Sequence, residues 1–174
     1  MLGLLEHDKA MKVLLKAMNE ESFSDYIQIA IPVYAKSNVD SGRWEESQSL
    51  ALSKSVHASL LPDGNLTKDN YLFNIVDGGS DVKLGHIWVK IEDHSGNLSG
   101  FIYDLEIYPA FRRRGYAKLA LGILEELVAG LGATSLRLHV FNQNSAAIDL
   151  YNSLGYQTVS HNMQKQIALP GDPD

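Results

Sequence analysis

Residues 111–120, FRRRGYAKLA, set three arginines directly before a glycine, an aromatic residue and the start of an apolar-periodic run. A strand-like stretch ends near Tyr108, Pro109 stops it, and a helix is expected from about Gly115. Backbone N–H groups at such a start have no carbonyl to bond. A glycine lets an anion approach the main chain, and the positive end of a helix adds the equivalent of about half a charge. Residue types and order therefore fit a phosphate cradle. On spacing alone, solvated charges beside a plain turn remain the alternative. The common nucleotide signatures do not fit, because no G-x-x-x-x-G-K-[ST] loop is present and Gly130-Leu-Gly132 follows a helix rather than a strand.

The preceding stretch, FIYDLEIY (101–108), offers carboxylates for proton transfer. Strand alternation puts Ile102, Asp104, Glu106 and Tyr108 on one face, and Phe101, Tyr103, Leu105 and Ile107 on the other. The six histidines do not cluster. His139 reads as an ordinary strand residue. His86 and Trp88 share a strand face, where they either pack or line a cleft. Asp77–Asp81 is an acidic turn without the terminal Glu of a Ca²⁺ loop, so no metal is expected.

The whole chain narrows these options. Its 174 residues, 45% hydrophobic and 21% charged, suit one globular domain, expected over 12–174, with residues 1–11 as an extension ahead of a second potential start at Met11. A formal net charge of −6 argues against a nucleic-acid partner and makes the 112–114 cluster a local feature. With no cysteine, a disulfide framework, a thiol nucleophile and a zinc–thiolate site are excluded. No apolar run approaches the roughly 20 residues that span a bilayer, and the first ten residues lack a cationic, long-apolar signal pattern. A cytoplasmic location without membrane contact is the expectation.

The elements that would hold these residues follow from periodicity. Residues 12–17 read as a strand, and capping residues near 19–25 open a helix that Pro32 should kink or divide. Residues 44–61 read as a second amphipathic helix, with Leu50, Leu52, Val56, Leu60 and Leu61 as its apolar side. Residues 71–77, 84–92 and 101–108, separated by short Gly/Asp/Ser turns, read as an antiparallel meander. Tyr116, Ala120, Ile123, Leu124, Leu127 and Leu131 mark a buried helical stripe. Strand 135–141, helix 144–155 and final strands from 156–160 and 163–169 complete the order β-α-α-β-β-β-α-β-α-β-β. The fold class is α/β, a mixed, mostly antiparallel twisted sheet flanked by helices.

Two motifs in this order resemble a known family. Ile107-x-Pro109-x-Phe111-Arg112-Arg113-Arg114-Gly115-Tyr116-Ala117 is similar to the R/Q-x-x-G-x-G/A acetyl-CoA loop of the GNAT N-acetyltransferases, with Ala117 where many members carry Gly. Asn144-x-x-Ala147-x-x-Leu150-Tyr151-x-x-Leu154-Gly155-Tyr156 resembles their second signature. The resemblance extends to a bacterial subgroup of undefined substrate. It implies acetyl-CoA as co-substrate and no metal. Amides over 113–118, spanning Arg113, Arg114, Gly115, Tyr116, Ala117 and Lys118, would cradle the diphosphate, with Arg112 opening the loop. Main-chain groups of Leu105 and Ile107 would bond the pantetheine arm, and Asn144 would also bond the cofactor. Tyr151 would be the acid for the leaving thiolate. Glu106, ahead of Asp104 or a water relay, would be the base. The acceptor would be a small-molecule or peptide amine, and a homodimer is left open. A non-catalytic CoA-binding regulatory module is the alternative function.

Overall fold

The computed structural model describes residues 12–163 and 165. Strand β1 (Val13–Ala17) leads into helices α1 (Glu20–Asp40) and α2 (Glu46–Leu60). The meander β2 (Asn70–Asp77), β3 (Lys83–His94) and β4 (Asn97–Ile107) follows, then α3 (Tyr116–Gly130), β5 (Ser135–Leu138) and α4 (Ser145–Ser153). The sheet order is β1-β2-β3-β4-β5, antiparallel except for the parallel β4–β5 pair.

One face of the sheet carries Ile75, Ile87, Val89 and Ile102 against Ala120, Leu121, Leu124 and Val128 of α3. Fully burying a side chain of this kind contributes about 1.5–3 kcal/mol, so this stripe fixes where α3 begins as well as where it lies. The other face carries Leu72 and Trp88 against Tyr26 and Ala30 of α1. Asn19 caps α1, its side-chain oxygen accepting the Ser22 amide at 2.9 Å.

Several expectations change here. Pro32 does not divide α1, which runs unbroken from residue 20 to 40. The carbonyl that Pro32 leaves without its helical donor belongs to Gln28, an exposed residue that water can reach. On α2 the buried stripe is polar, formed by Ser49, Ser53 and His57, while Leu50 and Leu52 are exposed. These polar groups bond locally: Ser53 Oγ donates to the Ile31 carbonyl at 2.7 Å, and His57 Nδ1 lies 2.8 Å from the Ser53 carbonyl. Strand β5 ends at Leu138 rather than 141. Residues 156–160 form no strand, and most of the last expected strand, 163–169, lies outside the described residues.

The largest correction concerns β4. Trp88 pairs with Asp104 but Val89 pairs with Ile102, which leaves Tyr103 as an extra, bulged residue. The simple alternation therefore fails. Ile102, Leu105 and Ile107 pack on the α3 side, while Tyr103 stacks on Trp88 with ring centroids 4.6 Å apart, on the α1 side.

The β3–β4 pair is also unusually close at one point. A Cβ on Gly85 would lie 1.9 Å from the Glu106 carbonyl oxygen, a backbone atom that cannot swing away. Gly85→Ala is expected to lower stability by about 1–3 kcal/mol through forced strand separation. Urea unfolding measures this, and an unchanged midpoint would contradict the close approach.

Candidate active site

The loop between β4 and α3 is built by a single 3-10 turn at Pro109–Phe111 and two left-handed residues, Arg113 (φ 63°) and Gly115 (φ 83°). Left-handed backbone is rare outside glycine, and these two residues turn the chain so that α3 starts with its amides exposed. After Arg112, whose amide reaches the Pro109 carbonyl at 3.4 Å, the next amide to reach a carbonyl is that of Leu119, on Gly115 at 3.2 Å. The six before it, 113–118, find no acceptor among the described residues. Arg113, Arg114 and Lys118 stand exposed around them. Donors of this kind at the positive end of a 15-residue helix suit an anion.

Arg112 does something different from its neighbours. Its Nε donates to the Ile107 carbonyl at 2.8 Å, and its Nη2 donates to Glu106 Oε1 at 3.0 Å. The guanidinium is therefore turned back onto β4 and ties the loop to the strand.

Beside this loop β4 loses a neighbour. Pairing with β5 runs only from Ser99–Ser135 to Ile102–Leu138, yet β4 continues to Ile107. The Tyr108 amide donates to Leu84 on β3 at 2.8 Å. Main-chain direction alternates along a strand, so the polar groups of Ile107 and Leu105 face the edge that β5 has left. The Ile107 carbonyl on that edge is already held by Arg112. A gap with one open strand edge thus leads directly to the amide cradle.

Side chains approach the gap from both sides of the sheet. On the α3 side, Tyr151 of α4 packs against the core and against Tyr156, ring centroids 5.4 Å apart. Burial first, and the charge of Asp104 second, push its phenol up to about 12. Asn144 is the N-cap of α4, its side-chain oxygen accepting the Ala147 amide at 3.2 Å. On the α1 side stand Asp104 and Glu106. Tyr26 donates its hydroxyl to Asp104 Oδ2 at 3.0 Å, and His86 Nε2 lies 3.1 Å from the same oxygen and 3.9 Å from Glu106 Oε2. His86 is 2% exposed, and its buried Nδ1 has no partner among the described residues. Burial raises the Tyr26 phenol well above its ordinary value, and the Asp104 charge adds to this. Tyr108 is raised as well, by burial and then by Glu106, Asp25 and Asp104.

Aromatic rings extend this side of the gap: Phe101 lies 4.9 Å from Tyr103, and Trp44 lies 5.5 Å from Tyr34. Arg43, from the α1–α2 connection, lies over Phe141 at 5.1 Å and 3.1 Å from His139 Nε2, closing the wall above them. Burial and Arg43 both lower the His139 imidazole.

The structure thus gathers 105–107, 112–118 and Tyr151 around one gap, with Asn144 capping the helix that carries Tyr151. Tyr26 and Tyr108 were missed. Tyr26 lies 78 positions from Asp104 in the chain, and no local pattern links them. Among the described residues, no group of three or more His, Cys, Asp or Glu side chains is arranged to hold a metal ion, and no helix is long and apolar enough to cross a membrane.

Comparison with known proteins gives a consistent picture. The acetyltransferase (GNAT) family model matches residues 37–156. The N-acetyltransferase YdgE of Bacillus subtilis, itself uncharacterised, is 33% identical over 157 residues, 90% of this chain and 99% of that protein. The crystal structure of YycN from the same organism superimposes with a TM-score of 0.86 at 32% identity, covering 91% of this chain and all of that one. The aminoglycoside N-acetyltransferase AAC(6')-Iy, solved in complex with CoA, shares the fold at 14% identity and a TM-score of 0.59, over 94% of this chain and 99% of that one.

The cradle's geometry depends on the left-handed backbone at Gly115. Gly115→Ala is expected to lower stability by about 1 kcal/mol through that conformation alone. Denaturant unfolding tests it, and full stability would mean the loop takes another shape.

Proposed function

Because the chain belongs to the GNAT acetyltransferase family, we propose that it transfers an acetyl group from acetyl-CoA to a primary amine by direct attack in a ternary complex. The observation that carries this reading is the run of unpaired amides at 113–118, opening onto the unpaired edge of β4. Those amides fit a diphosphate, and the main chain of Leu105 and Ile107 fits the amide groups of a pantetheine arm. Arg113, Arg114 and Lys118 would add attraction from solvent, and Asn144 would add a contact from the start of α4. That AAC(6')-Iy holds CoA on this fold agrees with the assignment.

Bound acetyl-CoA would supply a thioester carbonyl open to attack by an amine. The chain's task is then to manage protons and charge. A lysine-like amine with pKa about 10.4 is neutral in only about one molecule in 2,500 at pH 7, against roughly one in seven for an α-amine near 7.8. A carboxylate from the Asp104–Glu106 pair, on the side away from Tyr151, would take the acceptor's proton. The Ile107 amide, facing the open edge, would stabilise an oxygen that gains charge. Tyr151 would hold a proton at Oη for a departing sulfur. With its pKa pushed up to about 12, the phenol stays protonated at neutral pH. A cysteinyl acyl-enzyme is ruled out, since cysteine is absent.

Gly115→Glu should abolish CoA binding measured by calorimetry, because a carboxylate would enter the cradle; unchanged affinity sinks the cradle assignment. Tyr151→Phe should lower kcat by about 10²–10⁴-fold with acetyl-CoA affinity retained, read as CoA release over an amine panel. Wild-type turnover in that variant would remove its acid role. CoA binding with no turnover by the unaltered protein would point instead to a binding module.

A further inference from the structure

The proposed reaction leaves open which carboxylate removes the acceptor's proton, and the two candidates stand in different surroundings. Glu106 is paired with a guanidinium: Oε1 accepts from Arg112 Nη2 at 3.0 Å, while Oε2 lies 3.9 Å from His86 Nε2, beyond hydrogen-bond reach. Arg112 also holds the Ile107 carbonyl, so Glu106 belongs to the clasp that ties the cradle loop to β4. Asp104 differs. Both of its protein donors converge on one oxygen, Oδ2, from Tyr26 at 3.0 Å and from His86 at 3.1 Å. Its Oδ1 accepts from no group among the described residues. An ionised carboxylate only accepts, so the imidazole hydrogen facing these two carboxylates belongs on Nε2. Nδ1 is then the bare nitrogen, which fits its lack of a partner.

The donors are themselves rigidly placed. Tyr26 is 3% exposed and His86 2%, and their rings meet edge to face at 4.8 Å. Tyr108 closes the far side of His86 at 5.9 Å. The bulge at Tyr103 turns Asp104 to the α1 side, beside the gap where Tyr151 feels its charge from the other side. Acid and base therefore face each other across the strand opening without touching.

We infer that Asp104 is the proton acceptor for the incoming amine, and that Tyr26 and His86 are positioning residues that fix Oδ2 and leave Oδ1 for the substrate. This rests on the acetyl-transfer reading of the site. An acceptor ammonium gives one proton to Asp104 Oδ1. The amine nitrogen then forms the C–N bond as the C–S bond breaks, its second proton ends on the thiol sulfur by way of Tyr151, and Asp104 returns its proton to water. The products are one amide, one thiol and one released proton. Charged and titratable groups facing Asp104 are Tyr26 and, through Tyr108, Asp25 from α1, His86 from β3, Glu106 with Arg112 from β4 and its loop, and Tyr151 from α4.

The test compares Asp104→Asn, Glu106→Gln, Tyr26→Phe and His86→Phe in the full chain. CoA release from acetyl-CoA is followed with spermidine, benzylamine, kanamycin and lysine-containing or free-N-terminal peptides as acceptors. Asp104→Asn should lower kcat/KM at neutral pH by about 10²–10⁴-fold with acetyl-CoA affinity unchanged, and Glu106→Gln by less than about tenfold. Tyr26→Phe and His86→Phe each remove a donor to the charged carboxylate, so the acid limb of the pH–rate profile should move to higher pH. Packing loss alone would not move it. Wild-type turnover in Asp104→Asn, an equal loss in Glu106→Gln, or an unmoved limb in both donor variants overturns the assignment. A wild-type protein that acetylates none of these amines overturns the acetyl-transfer reading itself. In that case crystal structures without substrate still decide the positioning. The Asp104 carboxylate should leave its wild-type rotamer in Tyr26→Phe, and an unmoved carboxylate overturns that part.

Discussion

Everything at this site depends on one residue too many in β4. With Tyr103 bulged between the Trp88–Asp104 and Val89–Ile102 pairs, the strand changes its alternation in mid-course. A single-residue shift moves every following side chain to the opposite face of a sheet. Here it sends Leu105 and Ile107 into the core beneath α3 and sets Tyr103 on Trp88 on the α1 side. Had the alternation continued, Asp104 and Leu105 would each have changed faces, with a carboxylate in the core and an apolar side chain among polar groups. A bulge also bends and twists its strand. The parting of β4 from β5 begins at this position, after Ile102–Leu138.

That parting joins two otherwise separate sides. Tyr151 belongs to the core beneath α3, while Asp104 lies against α1, yet the charge of Asp104 contributes to raising the Tyr151 phenol. A sheet with complete pairing would isolate them. Arg112 then couples the gap to the cradle, since one guanidinium holds both the Ile107 carbonyl and Glu106. The arginine cluster divides its roles accordingly: Arg112 is architectural, while Arg113 and Arg114 remain exposed beside the free amides.

Much of this was legible in the chain. The stop at Pro109, the glycine at 115 and the apolar run of α3 are local patterns, and they located the loop and its helix within a residue or two, although the buried stripe includes Leu121 and Val128 and leaves Leu131 exposed. The helix carrying Tyr151 was marked by Asn144 at its start and Gly155 after its end. The bulge was not legible, because Tyr103 is a good strand former and leaves no gap in the pattern. The polar inner face of α2 was hidden for a related reason. Ser49, Ser53 and His57 look like solvent residues until their bonding, as in Ser53 to Ile31, is known. Tyr26, His86 and Asp104 each come from a different element, so their convergence is a property of the packed sheet.

In the proposed acetyltransferase, main-chain groups freed by the end of β5 and the start of α3 form the cofactor site. Amide NMR of the isotope-labelled protein, titrated with CoA, addresses it directly. The amides of 113–118, together with those of Leu105 and Ile107, should show the largest shifts and saturate with a single affinity. If those amides stay unmoved while CoA perturbs another surface, the account of the site is wrong.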